Sequence, residues 1–159
     1  MKRAIILAAV LSVTMAFSAS AKISVVPQPV KIEEKGSVFH VSNEIKIFAK
    51  GKELKALRDV YMEDFVNNLA ILDKGNKKKS AVRLYISPEL AEEEYNIKVQ
   101  GGYFNITGGS TKGVWWGLQT LTQILEQTKN ADGSFTVPAM DIQDKPKFAY
   151  RGAMLDPCR

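Results

Sequence analysis

The sequence of 159 residues has only one cysteine, Cys158, and only one histidine, His40. A single cysteine excludes an internal disulfide. One cysteine and one histidine can build neither a tetrahedral zinc site nor a Ser-His-Asp triad, and His40 is predicted to be an ordinary strand residue. We therefore expect no cofactor or metal, and we expect the hydrophobic core to hold the fold together.

Long apolar runs are confined to the N-terminus, where Lys2 and Arg3 precede a 14-residue stretch, 4–17, that is apolar apart from one serine and one threonine. The small residues of an A-x-A cleavage site end at Ala21, so residues 1–21 are typical of a secretory signal peptide of bacterial style. The stretch is short for a bilayer span, which needs about 20 apolar residues, although an uncleaved anchor is the alternative. We expect the mature chain to be periplasmic or secreted and to have no membrane anchor.

The sequence also lacks a large charge excess. Its formal net charge of +5 falls to +3 when Lys2 and Arg3 leave with the signal peptide, because residues 1–21 contain no acidic residue. The densest basic run, 77–79, lies between small and polar residues and is predicted to be a solvated loop. This mild excess is not the footprint of a nucleic-acid-binding protein.

Two spacings of apolar residues alternate along the mature chain. Period-two patterns predict strands at 38–41, 45–48 and 82–86, a β-hairpin over 94–107 that turns at Gly101-Gly102, and an extended piece at 135–142 that Pro138 interrupts. Spacings of three and four residues predict helices at 52–73 and 111–127. We therefore predict an α+β domain over 22–143, a two-layer sandwich of a mainly antiparallel sheet with two helices on one face. Its boundary is expected near 144–146.

Three features resemble ligand sites but have simpler structural explanations. Gly108-Gly109, followed by a serine, matches no phosphate-loop spacing and is predicted to be a tight turn with a helix cap. Trp115 and Trp116 point about 100° apart on a helix, so one is predicted in the core and the other at an edge. The acidic run 92–94 precedes a strand and is predicted to be solvated rather than a catalytic pair.

The C-terminal run, 146–159, does not resemble surface sequence. Its consecutive apolar residues, 153–155, are typical of a strand buried on both faces. Charged residues flank them, with Arg151 before and Asp156 and Arg159 after. The run predicts the first strand of a second domain that the chain does not complete.

These residues resemble those of family-20 glycoside hydrolases. The matching pattern comprises Glu94-Tyr95, Gly113-x-x-x-Gly117-Leu118-Gln119-Thr120-Leu121, Pro138-Ala139-Met140-x-Ile142-x-Asp144-x-Pro146, and Phe148-x-Tyr150-Arg151-Gly152-x-Met154-Leu155-Asp156-x-x-Arg159. The last of these segments is the most specific to the family. The mature start, Val26-Pro27-Gln28-Pro29, also looks like that of the family.

The resemblance implies that residues 22–143 precede a (β/α)8 catalytic barrel whose first strand is 147–159. It implies a β-N-acetylhexosaminidase that removes terminal β-linked GlcNAc or GalNAc from a glycan substrate by a substrate-assisted retaining route. An adjacent Asp-Glu pair would orient the substrate's acetamido group and act as general acid/base. No aspartate is directly followed by a glutamate in this sequence, so the chain alone is expected to be inactive.

The resemblance carries over one substrate-binding residue. Arg151 would hold sugar hydroxyls in the subsite of the terminal sugar, and its planar guanidinium can donate to two adjacent hydroxyls. Asp156 and Arg159 would support that site. The alternative for Arg151 is a structural ion pair.

Two other functional readings stay open. The chain could be a non-catalytic secreted module that binds carbohydrate or another protein, although such a module has no use for the C-terminal strand. It could also be the accessory domain of another glycoside hydrolase family, which the Arg151 motif disfavours.

Overall fold

The computed structural model describes residues 22–64, 69–148 and 152. The proposed signal peptide therefore lies outside the described residues. In chain order the elements are β1 (Lys31–Val41), β2 (Glu44–Ala49), α1 (Lys52–Asp64), β3 (Ile71–Lys74), β4 (Val82–Ile86), β5 (Tyr95–Gln100), β6 (Tyr103–Gly108), α2 (Thr111–Thr128) and β7 (Phe135–Asp144).

The seven strands form one sheet in the order β1-β7-β5-β6-β4-β2-β3. The pairs from β1 to β6 are antiparallel, whereas the pairs from β6 to β3 are parallel. The predicted α+β class is confirmed, but the sheet is mixed rather than mainly antiparallel. The reason is that α1 connects two neighbouring parallel strands, β2 and β3, as a helical crossover. Alternation along a strand marks its buried face and carries no information on its direction.

The first helix is shorter than predicted. The pattern predicted a helix over 52–73, whereas α1 ends at Asp64 among the described residues and 71–74 form β3. Strand β3 pairs in parallel with β2, with Ile45 opposite Leu72. Leu72 packs against the core and Leu69 is buried. Both leucines fit the helical spacing, but Leu72 reaches the core from a strand and Leu69 from a turn.

Strand β7 is continuous through Pro138, contrary to the predicted interruption. Proline has no N–H for a sheet ladder, so it is tolerated at edges and bulges. Pro138 lies opposite Val38, where the pairing of β1 with β7 shifts register. Strand β5 pairs with β7 only from Met140 to Asp144, so the missing N–H disrupts neither ladder. Pairing before the shift also extends β1 back to Lys31, well beyond the predicted 38–41.

The core lies between one face of the sheet and the two helices. Helix α2 begins after Ser110, whose hydroxyl accepts a hydrogen bond from the Lys112 N–H at 3.1 Å, as an N-cap should. Its buried stripe consists of Val114, Leu118, Leu121, Ile124 and Leu125. Burying each such side chain contributes about 1.5–3 kcal/mol, which explains why the stripe determines how the helix lies.

The two helices are neighbours on the same face of the sheet, as predicted. The hydroxyl of Tyr61 on α1 lies 2.7 Å from Thr122 Oγ1 on α2. The ring of Tyr61 meets Trp115 edge-on, with the ring centroids 6.2 Å apart. Trp115 is half-buried and Trp116 is exposed, so the predicted division of the two tryptophans between core and edge is confirmed.

An extended segment before β1 runs along the outside of α2. The side-chain amide of Gln127 accepts from the N–H and donates to the carbonyl of Ser24, and the amide of Gln123 does the same with Val26. We call residues 22–26 the N-terminal strap. The sequence predicts an extended segment at the start of the mature chain, but it did not predict that this segment docks on α2.

Candidate functional site at the end of strand β7

The residues predicted to serve a sugar site, Arg151, Asp156 and Arg159, all lie outside the described residues. The structure instead shows how the chain is held just before them. Strand β7 ends at Asp144, seven residues before Arg151. Whatever orients Asp144 therefore influences where the following segment starts.

Asp144 joins three parts of the fold through its two carboxylate oxygens. Its Oδ1 accepts a hydrogen bond from the Val30 N–H at 3.2 Å, which anchors the chain before β1. Its Oδ2 accepts from the Tyr95 hydroxyl at 3.3 Å. That hydroxyl lies 2.6 Å from Thr120 Oγ1 on α2. A directed chain in which Thr120 donates to Tyr95 and Tyr95 donates to Asp144 satisfies each proton once.

Tyr95 stays protonated over the ordinary pH range. The pKa of Tyr95 is raised to about 12, mainly by burial and also by the negative charge of Asp144, against a lowering by the hydrogen bond with Thr120. The phenol is therefore a neutral donor to Asp144. A group of this kind can orient a carboxylate, but it is not poised to exchange a proton near neutral pH.

Two glycines of α2 allow the helix to approach this cluster closely. A Cβ on Gly113 would lie 2.4 Å from the Glu94 carbonyl oxygen. A Cβ on Gly117 would lie 2.6 Å from Ile106 Cγ2 and 3.3 Å from the Tyr95 ring. Contacts under 3.0 Å force a shift of one partner, so the close approach of α2 to β5 and β6 depends on both glycines.

Several residues that carried the family resemblance thus come together in one place. We call this group the Tyr95 cluster, and its members are Tyr95, Gly113, Gly117, Thr120 and Asp144. The cluster was not predicted as a site from the sequence. The sequence offered one signal, because a tyrosine lies at the start of the predicted hairpin and an aspartate follows the extended piece predicted at 135–142. The structure places the two directly opposite in the antiparallel register of β5 and β7. The cluster has no nucleophile beside a base, so it is suited to positioning rather than to reaction.

The turn before α2 has the structural role that the sequence predicted. A Cβ on Gly109 would lie 1.9 Å from the Ala91 carbonyl oxygen, so the turn packs too tightly for a side chain. Ser110 donates to the Glu92 carbonyl at 2.6 Å in addition to capping the helix. Glu92 itself forms an exposed ion pair with Lys112 at 2.8 Å rather than facing another carboxylate.

The described residues contain no group of three or more His, Cys, Asp or Glu side chains arranged to hold a metal ion. Over the same part of the chain, no helix combines the length and hydropathy that a bilayer crossing requires.

The fold and these motifs define an accessory domain of a glycoside hydrolase. The sequence model of the family described as Glycosyl hydrolase family 20, domain 2 matches residues 22–145. Because that match covers most of the sequence, the chain belongs to glycoside hydrolase family 20.

A named relative agrees with the assignment, and solved structures share the fold. The chain is 30% identical over 147 residues to the β-hexosaminidase of Porphyromonas gingivalis, with 86% of this chain and 19% of the relative covered. The fold matches the GH20 exo-β-N-acetylglucosaminidase of Vibrio harveyi with a TM-score of 0.69 at 22% identity, over 79% of this chain and 19% of that one. It also matches the N-acetyl-β-hexosaminidase of Streptomyces plicatus with a TM-score of 0.60 at 22% identity, over 80% and 27% of the two chains. The chain thus spans about one fifth of the first of these relatives.

Proposed function

We propose that this chain supplies the accessory domain and the first barrel strand of an exported β-N-acetylhexosaminidase, which removes terminal β-linked GlcNAc or GalNAc from glycans. The observation that carries the proposal is the family match over residues 22–145, together with relatives that are themselves named β-hexosaminidases. Export rests on the leader-like residues 1–21.

The proposed reaction is a substrate-assisted retaining hydrolysis. The acetamido oxygen of the substrate attacks the anomeric carbon, the glycosidic C–O bond breaks, and a general acid protonates the leaving oxygen. Water then opens the oxazolinium intermediate with retention of configuration. The Asp-Glu pair that would orient the acetamido group and move the proton does not occur in this sequence, so the chemistry requires further chain.

Arg151 is proposed to bind the terminal sugar, with Asp156 and Arg159 supporting it. The Tyr95 cluster supports this assignment, because it anchors the end of β7 at Asp144 through Val30 and Tyr95. A fixed starting point restricts where a strand that follows within a few residues can lie. In the absence of further barrel strands, Arg151 would have no partners to hold it in one geometry.

The proposal is tested by release of a chromogenic aglycone from a β-N-acetylglucosaminide. We expect turnover by the protein isolated from its native host and none above background by the 159-residue chain. Loss of general acid catalysis alone lowers rates by about 10²–10⁴-fold. Turnover by the 159-residue chain would contradict the proposal that the catalytic Asp-Glu pair lies outside this sequence.

The assignment of Arg151 is tested in the same native protein. Arg151→Ala should lower kcat/KM by about a hundredfold or more, since each charge-assisted hydrogen bond contributes roughly 1.5–3 kcal/mol. Arg151→Lys should restore little, because a point charge cannot span two hydroxyls. An Arg151→Ala enzyme with unchanged kcat/KM would show that Arg151 has only a structural role.

A further inference from the structure

A concave pocket of about 370 Å³ opens on the face of the sheet that is turned away from the helices. Residues of β5 and β6 that alternate with the buried Ile97 and Ile106 point into it. Its volume lies near the lower end of the range for small-ligand sites, about 300–1,000 Å³. We call it the outer-face pocket, and its polar lining consists of Ser87, Glu89, Asn96, Lys98, Asn105 and Thr107.

The polar side chains in the middle of this pocket are not used by the protein itself. Among the described residues, Asn96, Lys98, Asn105 and Thr107 form no side-chain hydrogen bond or ion pair with other side chains or backbone groups. Asn96, Asn105 and Thr107 are half-buried, and Lys98 is exposed. Two amides, a hydroxyl and an ammonium group therefore present their donors and acceptors together toward solvent.

The strand register groups these side chains into rows. Lys98 lies directly opposite Asn105, and Asn96 lies opposite Thr107. The first row continues onto the neighbouring strands as Arg83 beside Asn105 and Asp141 beside Lys98. The middle of the outer face is thus polar across four adjacent strands, which is unsuitable for burial against an apolar protein surface.

Two further polar atoms lie at the ends of the row that runs from Arg83 through Asn105 and Lys98 to Asp141. Arg83 Nε and Asp141 Oδ1 are buried and have no hydrogen-bond partner among the described residues. The guanidinium of Arg83 lies 3.7 Å from the centroid of the Tyr103 ring, and Asp141 pairs with Lys35. Both end residues are therefore held in place while part of their hydrogen-bonding capacity is left over.

The composition of the pocket selects among ligand classes. One ammonium group, Lys98, and one carboxylate, Glu89, balance in charge, which disfavours phosphate-rich or strongly anionic ligands. Amides and hydroxyls that both donate and accept match sugar hydroxyls. Leu90 lines the same pocket, and Tyr85 lies opposite Thr107 in the register, so apolar surface is available for the C–H face of a pyranose ring.

We propose that the outer-face pocket is a binding site for an uncharged saccharide. The inference goes beyond hydrolysis, because it assigns a ligand to the accessory domain itself and does not depend on the Asp-Glu chemistry. Recognition would come from the amides of Asn96 and Asn105, with Lys98 donating to a further hydroxyl.

The test is a titration of the isotope-labelled 159-residue chain, followed by the NMR shifts of its backbone amides. The probes are N-acetylchitotriose, cellotriose and maltotriose, with inorganic sulfate as the anionic comparison. We expect saturable shifts confined to β5, β6 and the loop at 87–90, with dissociation constants in the millimolar range for at least one saccharide and no saturable shift with sulfate.

Variants assign the binding to the pocket. Asn96→Ala combined with Asn105→Ala should weaken saccharide binding by about tenfold or more, since each lost hydrogen bond accounts for about threefold to tenfold. Lys98→Ala should weaken it by less, and Lys55→Ala, which alters an exposed lysine of α1, should have no effect. If the double variant does not fold, Lys98→Ala takes its place in the comparison, provided that its backbone amide spectrum shows that it is folded.

Two outcomes would overturn the proposal. One is the absence of saturable shifts in β5 and β6 with every saccharide. The other is equal affinity in wild type and in the folded Asn96→Ala, Asn105→Ala variant. A saturable response to sulfate with none to the saccharides is a case of the first outcome, and it would show that the pocket is an anion site.

Discussion

The side-chain amide of Gln127 forms two hydrogen bonds with the backbone of Ser24, accepting from the N–H at 2.9 Å and donating to the carbonyl at 2.6 Å. Gln123, one turn earlier on α2, forms the equivalent pair with Val26 at 2.8 and 2.9 Å. Four residues of helix rise about 6 Å, and two residues of an extended chain rise about 6.6 Å. The two periods match closely enough for the helix to present its glutamines as a partner strand for the N-terminal strap.

The first prediction concerns this strap. Gln123→Ala combined with Gln127→Ala should lower the free energy of unfolding by about 1–3 kcal/mol, because the four exposed hydrogen bonds to the strap and the one from Gln127 to the Gln123 carbonyl are lost, each at the weak end of the usual range. Amide hydrogen exchange at Ser24 and Val26 should accelerate, and urea unfolding gives the stability. Gln119→Ala, on the same helix and without a hydrogen bond to the strap, is the matched control. Unchanged exchange in the double variant would show that the strap is held by its other contacts, which are the buried Ile23 and Val25 side chains and the hydrogen bond from the Ile23 N–H to Glu34.

The second prediction concerns the Tyr95 hydroxyl. Tyr95→Phe keeps the ring but removes the group that links Thr120 to Asp144. We expect a loss of about 1–2 kcal/mol, because buried polar partners are left without a hydrogen bond. Denaturant unfolding measures the change, with Tyr103→Phe as a control at a more exposed tyrosine. A Tyr95→Phe protein as stable as the wild type would mean that the link contributes nothing net.

The third prediction is a loss of stability in alkaline solution. Burial raises the pKa of both Tyr61 and Tyr95 from 10.0 to about 12. Because the folded pKa exceeds the unfolded value, the stabilisation is complete below pH 10 and is lost as the pH rises from 10 to about 12. The difference amounts to roughly 2–3 kcal/mol for each tyrosine.

Urea unfolding below pH 10.0 and again at about pH 11 measures this loss, and tyrosinate absorbance follows the ionisation. The combined Tyr61→Phe, Tyr95→Phe protein should show a smaller decrease over the same interval, since other groups titrate equally in both proteins. Identical pH dependence in the two proteins would mean that neither tyrosine is shifted in the folded state.

The fourth prediction concerns the glycines of α2. In an isolated helix, glycine to alanine is favourable by about 1 kcal/mol. At Gly113 and Gly117 the new Cβ would instead meet atoms at 2.4 and 2.6 Å, and overpacking of this kind costs about 1–3 kcal/mol. We therefore expect both variants to be destabilised, and Gly113→Ala more so because its neighbour is the Glu94 backbone. Thermal unfolding measures the change in stability. A higher Tm in either variant would show that the helix propensity of alanine outweighs the steric cost of the new Cβ.

The agreement between prediction and structure is best where the signals lie within one element. The hairpin predicted over 94–107 corresponds to β5 and β6, and the helix predicted over 111–127 corresponds to α2, which ends at Thr128. Ser110, the glycines of the preceding turn and the apolar stripe of α2 specify that helix independently. The end of α1 was predicted wrongly because the leucines at 69 and 72 fit the helical spacing, although neither belongs to that helix in the structure.

The candidate site shows the same contrast between what lies within one element and what depends on contacts between elements. Resemblance identified Tyr95, Gly113, Gly117, Thr120 and Asp144 as a pattern, but it did not show why they occur together. Their roles depend on how α2 crosses β5 and on the register between β5 and β7. The outer-face pocket likewise could not be predicted, since single polar residues on alternating strands look like ordinary solvated positions until the register places them side by side.

The sequence by itself therefore determined which residues are buried and where the turns and caps fall, because periodicity, glycine and capping chemistry act over a few residues. Only the tertiary structure decided the direction of β2, β3 and β4, the docking of the N-terminal strap, and the meeting of Tyr95 with Asp144, 49 residues away along the chain. These features depend on contacts between segments that are distant in the sequence, and patterns that act over a few residues do not specify such contacts.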